Sequence, residues 1–151
     1  MGRIYSASFT EVAVTAQQDL FQLESVTTPI ILHAIYLSQT SDVGDAASEN
    51  LSVLIARVTD TVTNITTETK LDVGDAAATT KINVNQTTEL VTGIETIHSE
   101  SWNIAQTFIW LPSPELRPII KINDAGIVNL NTTPADSITM SGTIYFEEIG
   151  G

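Results

Sequence analysis

The chain has 151 residues, a formal net charge of −12 and no cysteine, and 22 of its residues are threonine. This length suits one domain with a core of its own, and the lack of cysteine excludes disulfides and thiolate metal sites. Its six basic residues are scattered along a chain with eighteen acidic ones. This pattern disfavours binding to nucleic acid or to an anionic membrane, because both usually need a basic patch.

The first part of the chain predicts four strands. Ile4–Thr15 is rich in aromatic and β-branched residues, Leu20–Glu24 alternates briefly, and Ile30–Leu37 is a nearly continuous apolar run. Leu51–Thr59 is apolar on both faces, which is typical of a strand covered on both sides. Between the last two, Asp42–Asn50 has a capping residue and good helix formers, which favours one helical turn.

The middle of the chain carries weaker signals. Thr61–Thr69 alternates in threonine and predicts an exposed or edge strand. Lys81–Thr87 alternates cleanly, with Ile82 and Val84 on one face. Thr87–Ile97 is compatible with a helix, but its threonine and β-branched content makes a strand or loop at least as consistent with the pattern.

Three further segments complete the pattern. Ile104–Leu111 predicts a strand, and Pro118–Asn123 with Gly126–Asn131 predicts a hairpin around Asp124, Ala125 and Gly126. Ser137–Glu148 alternates most clearly of all. Eight to ten short strands predict an all-β fold, an antiparallel β-sandwich. The strand count favours a jelly-roll-like order over an immunoglobulin-like one, with residues 1–151 as a single domain.

A six-residue sequence occurs twice, at residues 42–47 and 72–77, and raises the question of calcium binding. The first copy offers Asp42, Asp45 and Glu49, and the second offers Asp72 and Asp75. Calcium takes six to eight oxygen ligands, and neither copy has the spacing of a known calcium loop. An Asx-turn with a left-handed glycine, followed by a helix N-cap, explains both copies more simply.

The residues that usually carry catalysis are scarce. His33 lies in an apolar strand, where a hydrogen-bonded core or interface histidine is a simpler interpretation than a base or metal ligand. The run from His98 to Ser101 contains histidine, serine and glutamate, but neighbours on a strand point to opposite faces and cannot form a triad. We therefore expect no enzyme activity and no cofactor.

The proline-rich segment after the strand at Ile104–Leu111 is the best interface candidate. Pro112 and Pro114 restrict its backbone, so the loop loses little entropy on docking. Trp110 and Arg117 are residue types that interfaces favour, and Leu116 adds an apolar side chain. The alternative is a rigid crossover between strands with Trp110 in the core.

The two chain ends provide the other interface candidates. Tyr5 and Phe146 are aromatic residues close to the ends. The segments Met1–Ser8 and Glu147–Gly151 are expected to form extended arms that reach a neighbouring subunit.

Residues 38–47, Pro112–Pro118 and Pro134–Glu148 resemble small virion proteins encoded by tailed phages and prophages. The resemblance extends from Gly2 to the end of the chain. It implies a head decoration, or cement, protein: a β-sandwich on the outer surface of the capsid, assembled in the host cytoplasm. The implied partners are the major capsid protein and further copies of the chain, as a homo-oligomer that is expected to be a trimer.

Two other roles remain open at this point. A location on the phage tail is compatible with the same resemblance. A carbohydrate-binding or adhesion sandwich would need an exposed aromatic platform, for which Trp102 and Trp110 are the available side chains.

Overall fold

Two antiparallel sheets account for most of residues 2–40, 49–63 and 66–150, which the computed structural model describes. A single 3-10 turn in these residues spans Pro114–Leu116. The strands are β1 (Arg3–Val14), β2 (Gln18–Glu24), β3 (Ile30–Gln39), β4 (Asn50–Val58), β5 (Thr69–Lys70), β6 (Lys81–Gln86), β7 (Glu95–Asn103), β8 (Phe108–Trp110), β9 (Ile119–Ile120), β10 (Ala125–Leu130) and β11 (Ile138–Glu148).

The strand order is that of a jelly roll. The first sheet has the order β5-β1-β11-β3-β8, with β9 also paired to β3, and the second has the order β6-β2-β10-β4-β7. Without β5, β6 and β9, each sheet has four strands, and every connection except that from β4 to β7 crosses between the sheets. This double Greek-key order confirms the predicted jelly-roll-like β-sandwich.

Alternation of apolar and polar residues places the core between the sheets. In β11 the side chains of Ile138, Met140, Ile144 and Phe146 are buried. Thr143 and Tyr145, which lie on either side of Ile144, are only half-buried. The strand β4 is apolar on both faces, as predicted. Its residues Leu51, Val53 and Ile55 join the main core.

The other face of β4 contributes to a second, smaller core outside the sandwich. Ala56 and Val58 pack there with Ala125 and Ile127 of β10. Val62 covers them from the segment that the sequence predicted to be an exposed strand. Among the described residues of Thr61–Thr69, that prediction is wrong except at Thr69, which belongs to the edge strand β5. Apolar coverage, rather than threonine propensity, therefore decides the path of this segment.

Two predicted elements need correction, the hairpin at residues 118–131 and the strand at Ile104–Leu111, whereas for Thr87–Ile97 the structure has the strand or loop that the sequence left open. The hairpin at residues 118–131 is wrong, since β9 pairs with β3 in one sheet and β10 pairs with β2 and β4 in the other. The strand predicted at Ile104–Leu111 is reduced to β8. The segment Thr87–Ile97 is a loop up to the start of β7, and the predicted turn at Asp42–Asn50 lies outside the described residues up to position 48.

Near both ends of the chain, the described residues lie within the first sheet rather than extending as arms. Arg3 to Ser8 pair in register with Glu148 to Thr143, and the backbone N–H of Ile149 donates to the carbonyl of Pro29. Pairing with each other inside one subunit thus places Arg3–Ser8 and Glu147–Glu148 in the sheet, and not in arms that reach a neighbour.

Candidate interaction surface

The proline-rich loop is fixed at both ends to the same strand, β3. The strand β8 pairs with β3 just before the loop, and β9 pairs with β3 just after it. Within the loop, the 3-10 turn is closed by a hydrogen bond from Leu116 N–H to Ser113 O at 2.9 Å. The backbone N–H of Leu32 then binds the carbonyl of Pro118 at 3.1 Å. The loop is consequently a rigid projection from the first sheet.

The loop also carries one exposed carboxylate, Glu115. Hydrogen bonds from its own backbone N–H and from the Ser113 hydroxyl, with a smaller contribution from the charge of Arg117, lower the pKa of Glu115 below its usual value.

Exposed apolar side chains surround this loop. The exposed fraction is 72% for Leu116, 62% for Leu111 and 56% for Ile109, and Ile119 is 52% exposed. Part of this surface is a groove of about 380 Å³. The groove is lined by Ile97, His98, Ile109, Trp110, Leu111, Pro112 and Leu116. We call these residues the apolar groove.

The sequence-predicted interface residues fall into two groups. Pro112, Pro114, Leu116 and Arg117 lie on the loop, where Pro114 and Leu116 are exposed and the other two are half-buried. Trp110 lines the groove but is only 7% exposed. Its indole therefore forms the floor of the groove instead of projecting from it.

Tyr5 and Phe146 belong to the core and do not contribute their side chains to any surface. Both are fully buried, and their rings stack with centroids 5.5 Å apart. The Tyr5 hydroxyl donates to the Ala76 carbonyl at 3.1 Å. Their assignment to an interface is thus corrected. The alternation in β11 already placed Phe146 on the inward face, and that signal should have outweighed its position near the chain end.

Sequence reasoning missed Ile109 and Ile119 as surface residues. Phe108 and Trp110 are buried on either side of Ile109, so strand alternation alone would have placed Ile109 outside. The exposure of Ile119 depends on the pairing of β9 with β3, which the predicted hairpin had misplaced.

Both histidines are bound to carboxylates. His33 Nε2 lies 2.9 Å from Glu147 Oε2, in a half-buried site where Glu147 also accepts the Gly2 backbone N–H. His98 Nε2 lies 3.0 Å from Glu100 Oε2. As the two-residue periodicity of a strand requires, His98 and Glu100 share one face of β7 and Ser99 points to the other. The contact is a pair, without the serine that a triad would need.

The repeated six-residue sequence is described only in its second copy, because Asp42 and Asp45 lie outside the described residues. There Asp72 Oδ1 accepts the Gly74 N–H at 2.8 Å, which forms the expected Asx-turn. Gly74 is not left-handed and no helix follows, so those two details of the prediction are wrong. Within the described residues, no group of three or more histidine or acidic side chains is placed to hold a metal ion.

One carboxylate is buried in the second sheet. Asp19 Oδ2 accepts from Gln22 Nε2 and from the Leu90 backbone N–H, and its Oδ1 accepts from Asn129 Nδ2. Burial raises the pKa of Asp19, while these hydrogen bonds oppose the shift. The side chain is fully enclosed, so this network fastens the loop at Leu90 to the sheet rather than facing a ligand.

Comparisons with known protein families, curated proteins and solved structures found no match. In the described residues no helix is long and apolar enough to cross a membrane. The chemistry of this chain's own surface is therefore the basis for a functional proposal.

Proposed function

We propose that the chain is a structural virion protein that decorates and stabilises a phage capsid through contacts with further copies of itself and with the major capsid protein. The observation that carries the proposal is the apolar groove beside a loop that is rigid before docking. Its setting is the outer surface of the capsid, after assembly in the host cytoplasm.

The chemistry of the groove fits a protein partner better than a small polar ligand. Leu111, Leu116 and Ile109 are more than half exposed, and large exposed apolar patches usually mark interaction sites. Covering them removes apolar area from water, at about 25 cal/mol per Å². The loop is already ordered, so little of this gain is lost to conformational entropy.

The charge distribution supports a place outside the DNA compartment. Four of the six basic residues form ion pairs with acidic side chains: Arg3 with Asp75, Arg57 with Glu95, Lys81 with Glu24 and Lys121 with Asp124. The remaining charge is strongly negative. Such a surface repels the phosphate backbone and favours contacts through neutral groups.

The fold itself is compatible with more than one role, since jelly rolls occur in capsid proteins and in lectins. The carbohydrate alternative requires an accessible aromatic face. Trp110 is almost completely buried, and Trp102 packs against Phe108 with ring centroids 5.5 Å apart. The available aromatic surface therefore favours the capsid role over the adhesion role.

Binding to particles tests the proposal. The gene for this chain is deleted from the phage or prophage that encodes it, and particles are prepared from the deletion strain. These particles are mixed with the purified chain and separated on a density gradient. We expect the wild type to sediment with the particles and Leu116→Ser to reduce the bound fraction by about tenfold, as loss of a large buried side chain at an interface does.

Leu71→Ser is the matched control, because Leu71 is 54% exposed but lies beside β5, at another edge of the first sheet. It should bind like the wild type. Failure of the wild type to sediment with particles, or equal binding of the two variants, would contradict the proposal. A trimer is the expected state of the bound protein.

A further inference from the structure

The strand β7 forms an open edge of the second sheet. It has nine residues, pairs with β4 on one side and is the last strand in the sheet order. Among the described residues, no strand pairs with its other side. Edges of this length are usually protected by charged side chains, proline or a bulge. The strand β7 has Glu95, Glu100 and a bulge at Ile97, but its stretch from His98 to Ser101 contains neither lysine nor proline.

The register of β7 with β4 shows which backbone groups face this edge. The N–H of Ile104 donates to Glu49 O at 3.0 Å, one position beyond the pair Asn50 and Asn103. Bonded and non-bonded pairs alternate along an antiparallel ladder, so Ser99 and Ser101 are in non-bonded pairs with β4. Their N–H and C=O groups therefore point towards the open edge.

Ser52, opposite Ser101, confirms this assignment from the other strand. Its carbonyl accepts the Asn131 N–H, and its own N–H donates to Thr132 Oγ1. Both groups of Ser52 thus point away from β7. The edge at Ser99 and Ser101 is an ordered template for another strand.

Hydrogen bonding between His98 and Glu100 favours one partner and one register. His98 and Glu100 flank Ser99, are on the opposite face from it, and have side chains that are 36% and 50% exposed. If a second β7 pairs antiparallel with Ser99 opposite Ser99, each His98 faces Glu100 of the other copy. Moving the centre to Glu100 would instead place the two Glu100 carboxylates opposite each other, which is unfavourable.

The apolar groove lies on the same side of the sandwich. His98 lines that groove, and its ring is 6.1 Å from the ring of Trp110. A twofold axis at Ser99 passes one residue from His98. Two copies related by this axis place their grooves on either side of the new contact, where both grooves stay open to a further partner.

We propose that the open edge of β7 pairs with β7 of a second copy of this chain, antiparallel and around a twofold axis at Ser99. The register shift opposite Ile55 and Ala56 of β4 leaves Ile97 as a bulged residue of β7, so the regular contact extends from residue 98 to residue 100. The result is a sheet that continues across two copies, in which the contact between His98 and Glu100 that each chain makes within β7 is exchanged for two such contacts between the copies.

Cysteine cross-linking tests this register in a chain that has no cysteine of its own. In the proposed pair, two Ser99 residues face each other with Cα atoms about 5.5 Å apart, a distance that a disulfide spans. We expect Ser99→Cys to form a covalent dimer under mild oxidation. Ser101→Cys is the matched control, because its two copies would lie four residues apart, about 13 Å, and should remain unlinked.

The mass of the reduced wild type gives a second readout. It should be a multiple of two chains of 16.3 kDa, whereas Ser99→Pro should raise the dissociation constant at least about tenfold by removing two hydrogen bonds. Proline is tolerated there because the Ser99 N–H does not bind β4. A monomeric wild type, equal cross-linking of the two cysteine variants, or a dimer that Ser99→Cys does not cross-link would overturn the proposal.

This contact is independent of the capsid role. If the chain also forms the expected trimer, the edge contact gives a hexamer, which Ser99→Pro converts to trimers. If the chain forms no trimer, the edge contact gives a dimer, which Ser99→Pro converts to monomers. Particle binding can therefore fail while the cross-link and the even-numbered mass are still observed. Equally, the cross-link can fail while the chain still binds particles.

Discussion

Glu148 accepts four hydrogen bonds in a buried site, so its contribution to stability can be tested by substitution. Its side chain is 1% exposed, and its Oε1 accepts from the backbone N–H of Thr79 at 2.6 Å and of Thr80 at 2.8 Å. The hydroxyls of the same two threonines donate to it at 3.0 and 2.8 Å. One carboxylate at the end of β11 thus holds the segment that leads into β6, in the other sheet.

We expect Glu148→Ala to lower the free energy of unfolding by about 3–5 kcal/mol. Thr80 is only 6% exposed, so its two donors would lose their acceptor without gaining water, at about 1–3 kcal/mol each. The donors of Thr79 are partly exposed and can turn to solvent at little cost. For a domain of this size the loss corresponds to a fall in melting temperature of about 10 °C or more.

Urea denaturation measures this effect directly, and the slope with denaturant should stay constant if the folded state is otherwise intact. Glu148→Gln is the matched variant, since the amide keeps one carbonyl oxygen for the threonines, and it should cost only about 1–2 kcal/mol. If Glu148→Ala unfolds within about 1 kcal/mol of the wild type, the threonine donors have another acceptor and the reasoning is refuted.

Three further predictions concern burial, close packing and pH. Because the pKa of Asp19 is raised in the folded state, its contribution to stability is fully present below the ordinary pKa near 4 and is lost as pH rises through the folded pKa. In urea titrations, the unfolding free energy of Asp19→Asn should therefore increase relative to that of the wild type between pH 4 and pH 7. A difference that stays constant with pH would contradict this. Gly142→Ala should lower the unfolding free energy by about 1–3 kcal/mol through crowding, since a Cβ there would lie 2.8 Å from a phenylalanine ring and a leucine methyl. Gly74→Ala is the control: its Cβ would meet only a carboxylate oxygen at 3.3 Å, and its unfolding free energy should stay within about 0.5 kcal/mol of the wild type. Phe146→Ala should cost about 3–5 kcal/mol and Leu116→Ser less than about 0.5 kcal/mol in thermal and urea unfolding; similar values for the two would contradict their assignment to core and surface.

Alternation of residue types predicted the strands that contribute one face to the main core. The strand β11 follows the pattern of Ser137–Glu148 almost residue by residue, and β4 was correctly read as covered on both faces. These signals are local, because each residue reports the environment of its own side of the strand. The jelly-roll order followed from strand count and not from any pairing signal.

The sequence was least informative where pairing depends on distant segments. A turn does lie between β9 and β10, but it is closed between Lys121 and Asp124, with Ala125 and Gly126 already in β10, and the two strands enter different sheets. Nothing local distinguishes this crossover from a hairpin. The apolar groove illustrates the same limit, since Ile97 and Leu116 meet only because β7 and β8 end their sheets on the same side.

The two sides of the sandwich are therefore suited to different tasks. On one side, the segment before β6 is fastened by Glu148, and the outermost strand of the first sheet, β5, has only two residues. On the other side, β7 is long and open, next to the apolar groove. Stability and association should consequently be separable. Glu148→Gln should lower the unfolding free energy while leaving the mass of the assembly unchanged. Ser99→Pro should reduce the mass of the assembly with little change in the urea midpoint of the dissociated chain. A Glu148→Gln protein that dissociates while still folded would show that the two sides are coupled, and the open edge would then not be an independent contact surface.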